Sequence, residues 1–139
     1  VSPAHADADE VQRAESEAGS RWDRFYAVNR TNFFKDRHYL HKTFPDEFGP
    51  IYDDDTGGLF RREGEERKDG SVVSSKDTFV VVEIGCGVGN TVLPLLDRGK
   101  ALLHDHWCPR LEVWGLDFSS VAVGMMKGEP RFVEASAEG

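Results

Sequence analysis

Residues 78–90 read TFVVVEIGCGVGN, and no other stretch of the chain restricts its fold as tightly. The apolar, β-branched run 78–85 predicts a parallel strand buried on both faces. It leads into Gly85, Gly87 and Gly89, where the backbone can turn sharply without Cβ interference. A helix over residues 90–98 should follow, with Pro94 in its first turns, where a missing N–H costs little, and Gly99 capping its end. LEVWGLD (111–117) is the expected second strand, and Ser119 or Ser120 the cap of a helix SVAVGMMK closed by Gly128. RFVEA (131–135) reads as the start of a third strand. The order β-α-β-α-β is half of a doubly wound parallel sheet, so the fold class is α/β.

The turn has the chemistry of a ligand site. The helix behind it offers free N–H groups, and Asp117 ends the next strand in register with the turn. A carboxylate there can accept both ribose hydroxyls of an adenosine. Gly-rich strand–helix turns also occur for packing alone; Asp117 is the second signal that favours binding. A dinucleotide site wants G-x-G-x-x-G, but the sixth residue from Gly85 is Asn90. The observed E-x-G-x-G-x-G, from Glu83 to Gly89, resembles instead the first motif of class I methyltransferases that use S-adenosyl-L-methionine (SAM).

Upstream, residues 8–30 predict a helix that puts Trp22, Phe25, Tyr26 and Asn29 on one face. Such a face reads as core, and it also suits a sulfonium cation. A short helix over 38–43 should stop before Pro45. Residues 46–78 lack periodicity and read as a loop, either an insertion or a linker. The chain is acidic, with a formal net charge of −8, yet residues 21–45 carry six Lys and Arg against two Asp, or +4. A polyanionic partner would have to meet that segment. Two distant cysteines, Cys86 and Cys108, suit a reducing compartment better than a disulfide scaffold; the expected setting is cytoplasmic, with nucleus and mitochondrion as alternatives. No apolar run approaches the roughly 20 residues of a membrane span. His104, His106 and Cys108 alternate like metal ligands, but with no fourth ligand at the usual spacing they read as a surface loop, and no metal is expected.

WDRFY (22–26), FFKDRHYL (33–40) with FP (44–45), EIGCGVGNTVLPLL (83–96) and DFSS (117–120) together resemble the eukaryotic tRNA 3-methylcytidine methyltransferases, over roughly residues 20–48 and 79–134. The resemblance implies a partial Rossmann-like class I fold behind a helical extension: 1–48 helical and basic, 49–78 a polar loop, 79–139 the first half of a SAM-binding domain. It implies SAM contacts from Trp22, Tyr26, Glu83, Gly85, Cys86, Gly87, Gly89, Asn90, Asp117, Phe118 and Ser119. Lys35, Arg37 and Lys42 would meet tRNA phosphates, with Phe33, Phe34 or Tyr39 to pack or stack on an unpaired base. Arg37 has a second possible role, pairing with an acid and bracing a lid over the cofactor. The implied reaction is methylation of cytidine N3 in the anticodon loop, and no catalytic base is assigned. Some members work with seryl-tRNA synthetase.

Three departures stand out. Where the family has an acid after the third strand's FV, this chain has Ala135, preceded by Glu134. The loop 49–78 is not a family hallmark. The chain begins with Val and stops around the end of strand three of an expected seven, so it is expected to be an N-terminal portion, inactive alone, with an exposed apolar strand edge. The alternatives are a non-catalytic SAM- or protein-binding module, or a class I methyltransferase with another substrate.

Overall fold

The structure, a computed structural model, describes residues 7–52 and 60–137. Helix α1 spans Ala8–Asn29; the Asp7 side chain accepts from the Asp9 N–H, and Asp9 and Glu10 sit at the positive end of its dipole. The short second helix is α2, Leu40–Thr43. Next comes α3, Pro45–Tyr52, where a loop was expected from residue 46. Proline is tolerated at the first helical position, because the N–H it lacks would be unpaired there anyway. Pro45 therefore opens a helix, and Ile51 on that helix is buried in the core. The rest of the predicted loop holds β1 (Arg61–Arg62) and a bridge between Glu66 and Val72. Residues 53–59 of it lie outside the described residues.

Strand β2 (Thr78–Ile84), helix α4 (Val92–His104), the short β3 (Trp107–Cys108) and β4 (Arg110–Leu116) follow. β2 and β4 pair in parallel, from Thr78 opposite Arg110 to Ile84 opposite Leu116. β1 and β3 form a separate antiparallel pair, so the connector predicted as surface loop ends in a strand with Cys108 buried. Gly99 does not cap α4. It is buried inside the helix, where an added Cβ would stand 3.6 Å from the Leu111 Cβ, so this glycine permits close helix–strand approach.

α5 (Ser120–Lys127) has the expected cap, with the Ser119 side chain accepting from the Ala122 N–H, and Gly128 closes it. α6 (Pro130–Ala137) stands where the third strand was predicted. RFVEA is too short for its periodicity to separate strand from helix. Pro130 again opens a helix, and the Glu129 carbonyl accepts from the Phe132 and Val133 N–H groups at 3.0 and 3.1 Å. Side chains then fasten it: Arg131 to Asp36 and Asp97, Lys100 to Glu134. The carboxylate beside Ala135 is thus engaged on α4.

Three apolar clusters join these pieces. Leu95 and Leu102 of α4 pack with Ile51 and Phe60 against Phe79, Val81, Leu111 and Val113 on one face of the sheet. Cys86, Val92, Leu93 and Met126 form the second, which Phe132 of α6 joins. Tyr26, Val88 and Ala122 seat α1 on α5. The opposite sheet face is uncovered: Val82, Ile84, Trp114 and Leu116 are all more than half exposed. β2 is parallel as predicted, but alternate residues face solvent, so it is not buried on both sides. None of the described helices is long and apolar enough to cross a membrane.

Candidate functional site

The crevice forms where β2 and β4 end. Gly85 and Cys86 donate their N–H groups to the Leu116 carbonyl at 2.7 and 3.0 Å, which folds the turn over the tip of β4. Gly85, Gly87 and Gly89 all have φ between +54° and +89°, in the left-handed region that favours glycine. Asp117 follows β4 and uses both carboxylate oxygens locally. Oδ2 accepts from the Gly87 N–H at 2.7 Å, and Oδ1 from the Ser119 N–H at 2.8 Å. The acid is held within the turn it was expected to face.

Two upstream segments supply the second wall. α1 lays Tyr26 against the turn: a Cβ on Gly87 would fall 2.4 Å from the Tyr26 hydroxyl. Trp22 stacks on Tyr26 with ring centroids 5.9 Å apart and stays half-exposed. The segment 33–37 crosses beside it. Arg37 donates its main-chain N–H to the Asn90 carbonyl at 2.7 Å, and its guanidinium stands 3.7 Å from Glu83. Asp36 is held by Arg131 at 2.7 Å.

The enclosed space is about 230 Å³. Of the predicted cofactor contacts, Trp22, Tyr26, Glu83, Gly85, Cys86, Gly87, Asn90, Asp117 and Phe118 line it. Gly89 and Ser119 do not. Gly89 packs inward, where an added Cβ would meet the Met126 side chain at 2.7 Å. Ser119 is fully buried beneath α1, its hydroxyl bonded to Asp23. Arg37, first read as a phosphate contact, lines the crevice and pairs with Glu83, which is its second predicted role. Lys35 and Lys42 lie exposed outside it. Phe34, offered for base stacking, also lines the crevice, and Thr91 joins without having been anticipated. Phe33 remains exposed, in edge contact with Phe25 and Phe34.

The electrostatics match a site that holds a polar ligand. Burial raises the Glu83 carboxyl, and its Oε2 atom is buried without a hydrogen-bond partner among the described residues. An orphaned buried acceptor costs free energy until something donates to it. The Thr91 hydroxyl stands close enough to pull the Glu83 carboxyl down, without a hydrogen bond of normal length between them. Burial, with Asp117 next, also raises the Tyr26 phenol. Desolvation, reinforced by Asp117 and Glu83, pushes the Cys86 thiol up to about 11, so it remains a neutral thiol at physiological pH. His104 pairs with Asp105 at 3.0 Å, and no three His, Cys, Asp or Glu side chains are grouped to hold a metal among the described residues.

A parallel strand pair, a glycine turn and an acid at the neighbouring strand's tip define a mixed α/β protein compatible with part of a methyltransferase fold. Comparison with known proteins narrows this. No family model matches the chain. It is 33% identical over 132 residues to the tRNA N(3)-methylcytidine methyltransferase Mettl2 of Drosophila melanogaster, covering 95% of this chain and 33% of that protein. It is 32% identical over 135 residues to the tRNA N(3)-cytidine methyltransferase METTL2 of Danio rerio, covering 90% and 36%. With the tRNA N(3)-cytidine methyltransferase METTL6 of Homo sapiens the identity is 33% over 121 residues, covering 87% and 32%. By sequence the chain is similar to tRNA N(3)-methylcytidine methyltransferases over most of its own length. It spans about a third of the length of the curated relatives it matches.

Proposed function

We propose that this chain forms the SAM-binding part of an enzyme that methylates cytidine N3 in tRNA, built on a Rossmann-like class I core. One observation carries the reading: the glycine turn, Asp117 and the Trp22–Tyr26 pair, drawn from distant parts of the chain, converge on one crevice. The residues there fit SAM. The unpartnered Glu83 oxygen and Arg37 offer opposite charges to the ammonium and carboxylate of its amino-acid end. Trp22 and Tyr26 present π-faces to a sulfonium cation, and Asp117 lies where a ribose would reach it.

When bound, SAM supplies an electrophilic methyl group. The chain's own contribution is to orient it and to exclude water beneath the Tyr26 ring. Cytidine N3 carries a lone pair and needs no deprotonation, which leaves positioning as the main source of rate. The exposed Lys35, between the crevice-lining Phe34 and Arg37, and the exposed Lys42 of α2 suit tRNA phosphates. Matching only about a third of the length of its curated relatives, the 139 residues by themselves should transfer no methyl group.

Asp117→Ala in the full-length protein tests the assignment. A charge-assisted ribose contact is worth about 1.5–3 kcal/mol, so SAM affinity by calorimetry should fall at least about tenfold. Unchanged affinity in that variant, or tight NAD binding by the parent, overturns it.

A further inference from the structure

α1 carries WDRFY across the mouth of the crevice; Trp22 and Tyr26 line it, and Asp23 points elsewhere. Its Oδ1 accepts from the Ser119 hydroxyl at 2.6 Å and from the Val121 N–H at 3.2 Å. Ser119 is fully buried, and its oxygen accepts from the Ala122 N–H at 3.1 Å. A hydroxyl has one proton, so that of Ser119 is committed to Asp23. Two residues from opposite ends of the chain thus share the start of α5: Ser119 as its cap, Asp23 on the next free N–H. A carboxylate is well placed there, at the positive end of the helix dipole.

The remaining contacts between α1 and this part of the molecule are mostly apolar, Phe25 and Tyr26 against Val88, Val121, Ala122 and Met125. Apolar burial is non-directional and tolerates a helix rolling about its axis. The approach is also close. One turn before Asp23, a Cβ on Gly19 would touch the Phe118 carbonyl at 3.6 Å. The Asp23–Ser119 bond is short and directed, so it selects one rotation. That rotation decides where Trp22 points, since Trp22 is the adjacent residue, half-exposed and in ring contact with Phe25 and Tyr26 of the same helix.

We propose that Asp23 is the positioning residue of the crevice: through Ser119 it sets the rotation of α1, and with it the placement of Trp22 and Tyr26 over the glycine turn. That this placement serves SAM rests on the function proposed above; the latch itself does not.

The test uses full-length protein labelled with 5-fluorotryptophan, so that Trp22, Trp107 and Trp114 give separate fluorine resonances. Asp23→Ala and Ser119→Ala should each shift the Trp22 resonance toward its solvent-exposed position and leave the other two in place. Each should weaken S-adenosylhomocysteine binding about tenfold, as expected for removal of one charge-assisted bond. In the double variant the two losses should fall well short of adding, because the Asp23–Ser119 bond is common to both. Asp23→Asn keeps an acceptor oxygen of equal reach and should recover most of the affinity. If Trp22 stays in place in both single variants, apolar packing alone seats α1 and the proposal fails. If the parent binds no S-adenosylhomocysteine, the SAM reading fails while the fluorine shift still decides the latch.

Discussion

The two walls of the crevice are held by different means. The glycine wall is mostly a main-chain network, Gly85 and Cys86 bonding to the Leu116 carbonyl, with one side chain in it, the Asp117 carboxylate that accepts from the Gly87 N–H. The aromatic wall hangs on side chains that reach far along the sequence. Asp23 holds Ser119, Asp36 holds Arg131, Arg37 faces Glu83, and the Arg37–Asn90 bond adds one main-chain link. A main-chain network follows from local backbone conformation and tolerates most substitutions outside the glycines. A side-chain network fails one residue at a time. Cofactor geometry should therefore be robust on the first side and tunable on the second.

Gly87→Ala should have the largest effect, because it damages both walls at once. Gly85→Ala is the control. Both positions have left-handed φ, +54° at Gly87 and +79° at Gly85, but only at Gly87 would the new Cβ strike the Tyr26 hydroxyl, at 2.4 Å. The φ penalty is roughly 1–2 kcal/mol, and overpacking against a buried ring adds about 1–3 kcal/mol. Gly87→Ala should bind S-adenosylhomocysteine at least about tenfold more weakly than Gly85→Ala. Adding Tyr26→Phe should narrow that gap, since it removes the clashing oxygen. Equal losses in the two alanine variants, measured by calorimetry, would show that Tyr26 is not seated on the turn.

The same contrast explains what could be read from the residues. The strand, the glycine turn and Asp117 were legible because each is encoded within a few neighbouring residues. Pro45 misled, since a proline that ends one helix can equally open another, as at α3; α6 also opens on a proline, but there the short RFVEA run itself was read as a strand. Gly99, Gly89 and Ser119 looked like a cap and two ligand contacts, yet Gly99 permits helix–strand approach, Gly89 packs against Met126 of α5, and Ser119 is a buried cap. The aromatic face of α1 was ambiguous. Trp22 and Tyr26 on one side of a helix read as core until the partner surface is known, and that surface lies about 95 residues downstream, as the Asp23–Ser119 separation of 96 shows. Arg37 illustrates the general case: a base within a basic segment suggests phosphate, and only tertiary structure puts it beside Glu83.

A smaller effect should separate crevice from surface within the basic segment. Replacing Lys35 and Lys42 with Ala should leave S-adenosylhomocysteine affinity unchanged, because both lie exposed outside the crevice. It should lower tRNA affinity and reduce the slope of log affinity against log salt by roughly 0.7–0.9 for each phosphate no longer neutralised. An unaltered slope would assign the whole 33–42 segment to the cofactor wall.

Glu83→Gln should have the smallest effect, and its sign decides whether charge or burial governs the junction of the walls. Desolvation is the largest influence on this carboxyl and raises it from 4.5; Asp117 raises it further, while Thr91 and Arg37 pull it down. A folded-state value above the unfolded one means that the folded protein holds the proton more tightly. Below pH 4.5 the group is neutral in both states and costs nothing. As pH rises through the raised folded value, the carboxylate ionises in its partly buried seat and the full penalty is reached. Removing the charge should therefore stabilise the ligand-free protein at pH 7, by about 1–3 °C in Tm, with the gain disappearing below pH 4.5. Ligand affinity should move the other way, because Glu83 then no longer offers a charged acceptor inside the crevice. A lower Tm for the variant at pH 7 would mean that the pairing with Arg37 outweighs the burial of Glu83. The aromatic wall would then be held to the glycine wall by charge, its seating should weaken with added salt, and the division between a backbone-held and a side-chain-held wall would run through Glu83 itself.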